Sequence, residues 1–229
     1  ALLTSPRLSW KEALSQLPGF YFSQFNSQLP KRVYLRTLDE SPFPTAQLRL
    51  FFQSSSRSVS NFDGFFLQIS RGCPSRCRFC LVGNTTGPPR YLSLRRAQNL
   101  ISLGTKQTLS KRVVLISSAL YPDIDLLAEW LVAQNYQCSF PSLRADLSPT
   151  ILKLVKKCGQ KTLTLAPETG LDSSRFLLRK KIPNEQFFHF IEAARLAQIP
   201  FLKLYFMVGL PETELSQEVE AIHNFLQSI

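Results

Sequence analysis

The chain has 229 residues and a mass of 26.0 kDa, which is enough for one substantial hydrophobic core. Its 44% hydrophobic and 19% charged residues are typical of a globular domain and exclude a disordered tail. No apolar run reaches the roughly 18–20 residues that a membrane-spanning helix needs. The opening segment 1–6 is too short, and too polar downstream, to be a secretory signal. We therefore expect no membrane association.

The cysteines argue against a disulfide scaffold. Three of the five lie within eight residues, at Cys73, Cys77 and Cys80. Such crowding is typical of metal ligation in a reducing compartment. We therefore predict a metal site and a cytoplasmic protein.

The charge is strongly basic. A net charge of +11 and a pI near 9.7 favour an anionic partner, and RNA, phosphates and an acidic protein are the candidates. The alternative is a solvated basic surface, because the basic residues are scattered and charge alone carries no specificity. The short basic clusters are predicted to lie on helix surfaces: Arg95-Arg96, Lys156-Lys157 and Arg179-Lys180-Lys181.

The first 60 residues differ in composition from the rest. They contain five prolines, little sustained periodicity, and a loop-like serine-rich stretch at 54–58. We predict an irregular lead-in or linker over residues 1–60 and one core domain over residues 61–229.

From residue 61 onward, buried strands alternate with amphipathic helices. The predicted strands lie at 65–69, 113–116, 138–140, 162–166 and 201–208. The predicted helices lie at 93–103 (closed by Gly104), 125–134, 148–159 (with Ser148 as N-cap), 184–198 and 212–229. This alternation requires helical crossovers and predicts a parallel α/β sheet, either open or a partial (β/α) barrel. Ligands gather at the carboxyl ends of such strands.

The cysteine loop follows the first predicted strand. Three residues separate Cys73 from Cys77, and two separate Cys77 from Cys80. A tight loop with this spacing can aim three thiolates at one iron–sulfur cluster and leave one iron open to a small molecule. Structural zinc is the rival, but it needs a fourth ligand.

Four further side chains are candidates for that fourth ligand. His189 and His223 lie in predicted helices far along the chain. Cys138 and Cys158 each stand alone among apolar neighbours, and we predict that they are buried, inert thiols. The pattern therefore favours an iron–sulfur cluster over zinc.

The loop resembles the CxxxCxxC signature of the radical S-adenosylmethionine superfamily, including an aromatic residue, Phe79, before the last cysteine. The surrounding phrase 69–80 is similar to a branch whose members often carry a cobalamin-binding domain. Three later stretches resemble the same branch: Ser142–Asp146, Leu165–Gly170 and Lys203–Thr213. The resemblance implies a partial TIM-like barrel of about five to six parallel strands.

The resemblance also implies the cofactors and their ligands. It implies a 4Fe–4S cluster on Cys73, Cys77 and Cys80, with S-adenosylmethionine chelated to the open iron and reductively cleaved to start radical chemistry. Phe79 would lie against the adenine. Ser117 and Ser118 stand where many members carry a glycine-rich segment with an acidic residue. Their hydroxyls would bond to the amino-acid end of the cofactor, or else only form a turn or helix N-cap. An Asp would be expected where Leu120 stands.

Three more positions follow from the resemblance. Arg144 would grip a carboxylate of the cofactor, and its alternative is an ion pair with Asp146. Glu168, in a proline- and glycine-framed turn, would bond to the ribose hydroxyls, or else serve as a charge at a helix N-terminus. Gly209 would let the adenine edge pair with the main chain, or else form only a tight turn.

The resemblance implies an enzyme of the methyl- or methylthio-transferring kind, with an unidentified substrate. Its implied partner is an electron donor such as a flavodoxin or ferredoxin. Cobalamin would come from a domain outside this chain, because no Asp-x-His-x-x-Gly segment occurs in it. Five strand–helix units are one short of the family's usual six, which predicts a fragment or a degenerate protein.

Three alternatives remain open. An RNA-modifying methylthiotransferase-like enzyme would suit the basic charge, and it predicts RNA binding that weakens with salt. A non-catalytic module that binds an iron–sulfur cluster or zinc predicts metal binding without cleavage of S-adenosylmethionine. A zinc-stabilised interaction domain predicts zinc in place of iron.

Overall fold

A computed structural model gives the fold for residues 9–48, 64–118 and 120–229. The chain divides into two units, Ala1–Arg36 and Thr37–Ile229. The predicted boundary at residue 60 lies outside the described residues and stays a prediction. Among the described residues, no helix is both long enough and apolar enough to cross a bilayer.

The first unit contains one short helix within its described part, α1 (Trp10–Ser15). The Ser9 side chain caps it by accepting a backbone N–H of the first turn. The Trp10 ring meets the Phe22 ring edge-on, with 6.2 Å between centroids. Asn26 donates to the Ser15 carbonyl at 3.1 Å, which ties the following loop back to the helix. The residues of this unit from 16 to 36 form turns and irregular structure.

The second unit alternates strands and helices. In chain order the elements are β1 (Phe65–Gln68), β2 (Ser70–Arg71), α2 (Leu81–Thr85), β3 (Arg90–Tyr91), α3 (Leu94–Gln107), β4 (Arg112–Ile116), α4 (Ile124–Ala133), β5 (Gln137–Ser139), α5 (Ile151–Lys157), β6 (Thr162–Glu168), α6 (Asp172–Leu177), α7 (Asn184–Leu196), β7 (Phe201–Phe206) and α8 (Leu215–Gln227). All five predicted strands and all five predicted helices are present, with boundaries that differ by a few residues.

Five of the strands run parallel. β1, β4 and β5 form one three-stranded sheet in that order, and β6 pairs with β7. The Leu143 N–H, just after β5, donates to the Thr164 carbonyl in β6 at 3.3 Å and links the two sheets. This single bond places β6 next to β5, in the order expected of a partial (β/α) barrel, which does not close among the described residues. This confirms the predicted fold class.

The hydrophobic core lies between the parallel strands and the helices that pack on them. Alternate residues of β1, β4 and β6 are buried, as their apolar runs predict, whereas every residue of β7 is exposed or partly exposed. The prediction that Gly104 ends its helix was wrong, because α3 continues to Gln107. A Cβ at Gly104 would lie 2.2 Å from the Phe65 ring, so glycine lets α3 press directly onto β1.

Two further predictions were wrong in detail. Ser148 is not the N-cap of α5; the cap position is Thr150, and the Ser148 hydroxyl instead lies 2.8 Å from the Thr150 hydroxyl. The segment 179–181 is not a helix surface, because it lies in the connection between α6 and α7. Lys180 within it is largely buried.

Candidate active site

The cysteine loop leaves β2 and enters α2. β2 pairs with β3 in an antiparallel ribbon, with Ser70 opposite Tyr91, and this ribbon fixes both ends of the region. Asn84 in α2 donates to the carbonyls of Cys77 and Cys80, at 3.1 and 2.7 Å. These contacts hold the backbone of the loop without using the thiols.

The three predicted ligands are free, partly buried thiols. Burial raises the pKa of Cys77, and the thiols of Cys73 and Cys80 raise it further, while Lys180 and Arg144 oppose the shift. Within the described part of the chain, no three His, Cys, Asp or Glu side chains converge on one point as a single metal ion requires.

A serine cluster ties this region to the end of β4. The hydroxyls of Ser70 and Ser117 lie 2.5 Å apart, and the Ser118 N–H donates to the Ser70 hydroxyl at 3.1 Å. Ser117 and Ser118 are therefore connected to the strand that precedes the cysteines. The sequence pattern did not single out Ser70.

A cavity of about 380 Å³, the main cavity, lies at the carboxyl ends of β1, β4 and β5. Four predicted site residues line it together: Cys73, Ser117, Ser118 and Arg144. The remaining lining is largely apolar: Ile69, Leu120, Tyr121, Ile124, Pro141, Ser142, Leu143 and Leu147. The structure thus brings one predicted cluster ligand and three predicted polar groups to one cavity, where α/β folds place their ligands.

Arg144 makes the ion pair that was expected as its alternative role. Its Nε and Nη2 donate to the two carboxylate oxygens of Asp146, at 2.9 and 2.6 Å. Its Nη1 donates to the Ser75 hydroxyl in the cysteine loop at 3.0 Å. Hydrogen bonding to Asp146 raises the pKa of Arg144. The guanidinium is therefore held rigidly on the wall of the main cavity.

Glu168 ends β6 in a left-handed conformation, with φ of +68°. Its Oε1 accepts from Lys180 Nζ at 2.8 Å, and both side chains are largely buried. It does not line the main cavity. The ribose role of Glu168 stays a prediction. Its partner Lys180 was missed because the sequence showed it only as part of a basic cluster.

The turn that carries Glu168 is held by a second missed residue, Arg175. Its guanidinium is fully buried and donates to the carbonyls of Pro167 (2.8 Å) and Thr169, on either side of Glu168. Desolvation lowers the pKa of Arg175, and Asp172 opposes that shift. A lone arginine in an amphipathic segment gives no sequence signal of such a role.

Phe79 and the Gly209 turn lie at a second cavity of about 250 Å³. Phe79 lines it with Leu210 and Pro211. Gly209 itself has φ of +80° and does not line either cavity. The N–H groups of Gly209 and Leu210 donate to the two carboxylate oxygens of Glu218, at 2.6 and 2.7 Å. The cysteine loop therefore contributes Cys73 to one cavity and Phe79 to another.

Cys138 and Cys158 are buried, as predicted. Burial raises the pKa of Cys158 to about 11, and burial followed by the nearby Cys158 raises that of Cys138. They are far from thiolate character at neutral pH, which agrees with structural thiols.

Comparison with known proteins gives the family. The radical SAM superfamily matches residues 67–226. The uncharacterized protein MJ0966 of Methanocaldococcus jannaschii is 32% identical over 214 residues, which is 92% of this chain and 46% of that protein. The chain thus spans less than half the length of that relative.

Solved structures agree on the fold. The cobalamin-dependent S-adenosylmethionine radical enzyme OxsB with aqua-cobalamin bound has a TM-score of 0.58 at 17% identity, covering 70% of this chain and 26% of OxsB. OxsB with aqua-cobalamin and S-adenosylmethionine bound has a TM-score of 0.55, at the same identity and coverage. At this identity the likeness shows only the fold, a partial barrel. Because the family match covers most of the sequence, the chain belongs to the radical SAM superfamily of enzymes.

Proposed function

We propose that the chain holds a 4Fe–4S cluster on Cys73, Cys77 and Cys80 and cleaves S-adenosylmethionine reductively to start radical chemistry. The observation that carries this proposal is the main cavity, where Cys73 meets Ser117, Ser118 and Arg144. One cluster ligand and three polar side chains at a strand-end cavity are what a chelated amino-acid cofactor needs.

The three thiols of the cysteine loop are suitable ligands for an iron–sulfur cluster. All three thiols are free, and the loop that carries them is fixed by its backbone. Three thiolates for four irons leave one iron open to the amino-acid end of S-adenosylmethionine. Cys73, Cys77 and Cys80 would hold this cluster, which when bound would supply the electron for reductive cleavage of S-adenosylmethionine.

The residues of the main cavity would bind and orient the cofactor. Arg144 retains N–H donors beyond those bonded to Asp146 and Ser75, because a guanidinium carries more donors than these contacts use. Those donors suit the methionine carboxylate, and the hydroxyls of Ser117 and Ser118 suit its polar groups. The apolar lining would exclude water from the reacting centre.

The remaining predicted positions belong to the same proposal. Phe79 and Gly209 would contact the adenine, and Phe79 lines the second cavity. Glu168 would bond to the ribose hydroxyls, with Lys180 holding its carboxylate in place. The proposal includes a cytoplasmic location and an electron donor such as a flavodoxin or ferredoxin.

For the reaction itself we propose methyl or methylthio transfer. OxsB is a cobalamin-dependent radical enzyme, and this chain shares its fold. Cobalamin would then be supplied by a domain outside this chain. The net charge of +11 favours a second candidate, a methylthiotransferase-like enzyme that acts on RNA.

Metal analysis and equilibrium binding of S-adenosylmethionine test the proposal. After anaerobic reconstitution with iron and sulfide, we expect iron in place of zinc and saturable binding of the cofactor. Arg144→Gln should weaken that binding by roughly tenfold or more, since one charge-assisted bond to a carboxylate is lost. The matched control is Arg195→Gln, which removes an exposed arginine of α7. Zinc binding, or equal affinity in both variants, would refute the proposed site.

A further inference from the structure

A serine of the cysteine loop contacts the arginine that follows β5. Ser75 lies between Cys73 and Cys77, and its hydroxyl accepts a hydrogen bond from Arg144 Nη1 at 3.0 Å. The two residues are 69 positions apart in the sequence. The contact therefore joins the loop that carries the three thiols to a cationic group that lines the main cavity.

The ion pair with Asp146 alone would hold Arg144 only weakly. The Asp146 carboxylate accepts from Nε and Nη2, but the side chains of the pair are 29% and 32% exposed. Solvent screens a pair of this exposure, so the pair contributes little to a fixed orientation. Both residues also belong to the same connection between β5 and α5, so their pairing ties neither of them to the rest of the fold. Ser75 adds an anchor from a distant part of the chain, at the guanidinium nitrogen that Asp146 does not contact.

This extra anchor leaves Arg144 able to bind a carboxylate. Each terminal nitrogen of an arginine carries a pair of N–H groups, and the bonds to Asp146 and Ser75 use one member of each pair. One N–H therefore remains on Nη1 and one on Nη2, and a carboxylate can accept from both. Because serine is neutral, it orients the guanidinium without cancelling its charge, as a second acidic side chain would.

Other contacts already hold the backbone of the cysteine loop. Asn84 donates to two loop carbonyls at 3.1 and 2.7 Å, and the Arg78 N–H donates to the Leu178 carbonyl at 3.0 Å. Among the residues that the structure describes, the Ser75 side chain has Arg144 as its hydrogen-bonding partner. Loss of the Ser75 hydroxyl should therefore affect the guanidinium and leave the loop in place.

The guanidinium also lies near the proposed cluster ligands. Arg144 and Cys73 line the same cavity. Hydrogen bonding to Asp146 raises the pKa of Arg144, burial opposes that shift, and the nearby thiols of Cys73 and Cys77 add to it. A carboxylate bound to Arg144 would therefore lie close to the thiols that are proposed to hold the cluster.

We propose that Ser75 is a positioning residue, which acts through Arg144 to orient its remaining N–H groups for the carboxylate of S-adenosylmethionine. This inference rests on the proposed function, and it adds a residue that the sequence pattern did not single out. An orientation fixed before binding lowers the entropy that binding costs. Because the anchor belongs to the cysteine loop, the affinity for the carboxylate depends on the conformation of that loop.

A double-mutant cycle tests whether Ser75 acts through Arg144. The affinity of the iron-loaded chain for S-adenosylmethionine is measured by calorimetry in Ser75→Ala, in Arg144→Gln and in the variant that combines them. Ser75→Thr keeps a hydroxyl at the same position and is the conservative variant. The matched control is Ser102→Ala, which removes an exposed serine hydroxyl of α3 that does not line the main cavity.

We expect Ser75→Ala to weaken the affinity by roughly threefold to tenfold, and Ser75→Thr and Ser102→Ala to change it by less than about twofold. The combined variant should bind no more than about twofold more weakly than Arg144→Gln alone, because the hydroxyl has nothing to orient once the guanidinium is gone. Additive losses would show that the hydroxyl acts independently of Arg144 and would overturn the inference. Unchanged affinity in Ser75→Ala, or an equal loss in Ser75→Thr, would overturn it too.

A second measurement needs neither the cluster nor the cofactor. NMR of the isotopically labelled chain reports rotation about the Nε–Cζ bond of Arg144, whose signal is assigned by its absence in Arg144→Gln. We expect Ser75→Ala to speed this rotation by roughly threefold or more, since one anchor of the guanidinium is lost. An unchanged rate would overturn the inference. Absence of S-adenosylmethionine binding by the unaltered, iron-loaded chain would instead refute the proposed function, and the rotation rate would still decide whether Ser75 orients Arg144.

Discussion

Lys180 Nζ lies 2.8 Å from Glu168 Oε1, and both side chains are largely buried. The same ammonium donates to the Ala166 carbonyl in β6. Lys180 therefore anchors the segment after α6 to the carboxyl end of β6, where parallel α/β folds place their ligands.

Removal of the lysine charge should destabilise the fold. Lys180→Met leaves the Glu168 carboxylate buried without its partner, which should lower the free energy of unfolding by about 3–5 kcal/mol. Urea unfolding of the chain without its cluster measures this value.

The neighbouring lysine supplies the control. Lys181 is exposed, so Lys181→Met should change the free energy of unfolding by no more than about 0.5 kcal/mol. Adding Glu168→Gln to Lys180→Met should recover part of the loss. Equal stability of the two lysine variants would show that the buried pair contributes nothing.

Arg175 stabilises the turn around Glu168 by bonding to its backbone. Besides the carbonyls of Pro167 and Thr169, its guanidinium bonds to the Asn184 side chain at 2.7 Å. These contacts support a non-glycine residue with φ of +68°, a conformation that costs roughly 1–2 kcal/mol. Arg175→Met should therefore unfold the chain or cost about 3–5 kcal/mol.

A milder variant keeps this prediction measurable. Asn184→Ala removes one partner of Arg175 and one donor to the Gly170 carbonyl, and should cost about 1–3 kcal/mol. Hydrogen exchange at the Met207 N–H, which donates to the Glu168 carbonyl at 2.7 Å, should speed up in the same variant. Exchange as slow as in the unaltered chain would show that Asn184 does not support this turn through Arg175.

Glu218 fixes the turn that follows β7. Its buried carboxylate accepts from two successive N–H groups, those of Gly209 and Leu210. Glu218→Gln replaces one acceptor oxygen with a donor that faces an N–H, so it should cost about 1–3 kcal/mol. Glu220→Gln, at an exposed position of the same helix, is the matched control for chemical denaturation. Indistinguishable midpoints would contradict the role assigned to Glu218.

Buried thiols and a buried phenol should make the fold sensitive to alkali. Burial raises the pKa of Cys158 from 9.0 to about 11, and it raises the pKa of Tyr121 from 10.0 to about 12. The folded chain then holds these protons at a pH where the unfolded chain has lost them. The stability is complete below pH 9 and falls as the pH rises from 9 to 11.

The Cys158 contribution to this loss should be roughly 2–3 kcal/mol across that interval. Cys158→Ala should flatten the alkaline part of the stability curve, measured as unfolding free energy against pH. A slope as steep as that of the unaltered chain would assign the effect to other groups.

The sequence predicted the positions of the barrel strands well, and for β1 and β6 it also predicted their burial, because each of these two is an apolar run. Cys73, Ser117 and Arg144 follow three predicted strands, and in the structure they line one cavity because the carboxyl ends of parallel strands meet. The sequence failed where a partner distant in sequence decides the outcome. Gly104 is glycine because the helix contacts the Phe65 ring closely at this position, and no pattern in the neighbouring sequence reveals that contact.

The sequence also failed to predict which charged side chains are buried. Lys180 and Arg175 look like ordinary surface residues in the sequence, because nothing local shows that carbonyls of another strand will surround them. The division of the site residues between two cavities was equally hidden, since it depends on how the cysteine loop packs against α6. The Arg78 N–H bond to the Leu178 carbonyl at 3.0 Å is part of that packing.

Formation of 5′-deoxyadenosine from S-adenosylmethionine tests the central claim most directly. The chain is reconstituted anaerobically with iron and sulfide, reduced with dithionite, and assayed by chromatography. We predict product in the unaltered chain and in Cys138→Ala, which changes a buried thiol outside the loop, and none in Cys73→Ala, Cys77→Ala or Cys80→Ala. Iron incorporation without product in the unaltered chain, or product that persists in the loop variants, would contradict the account.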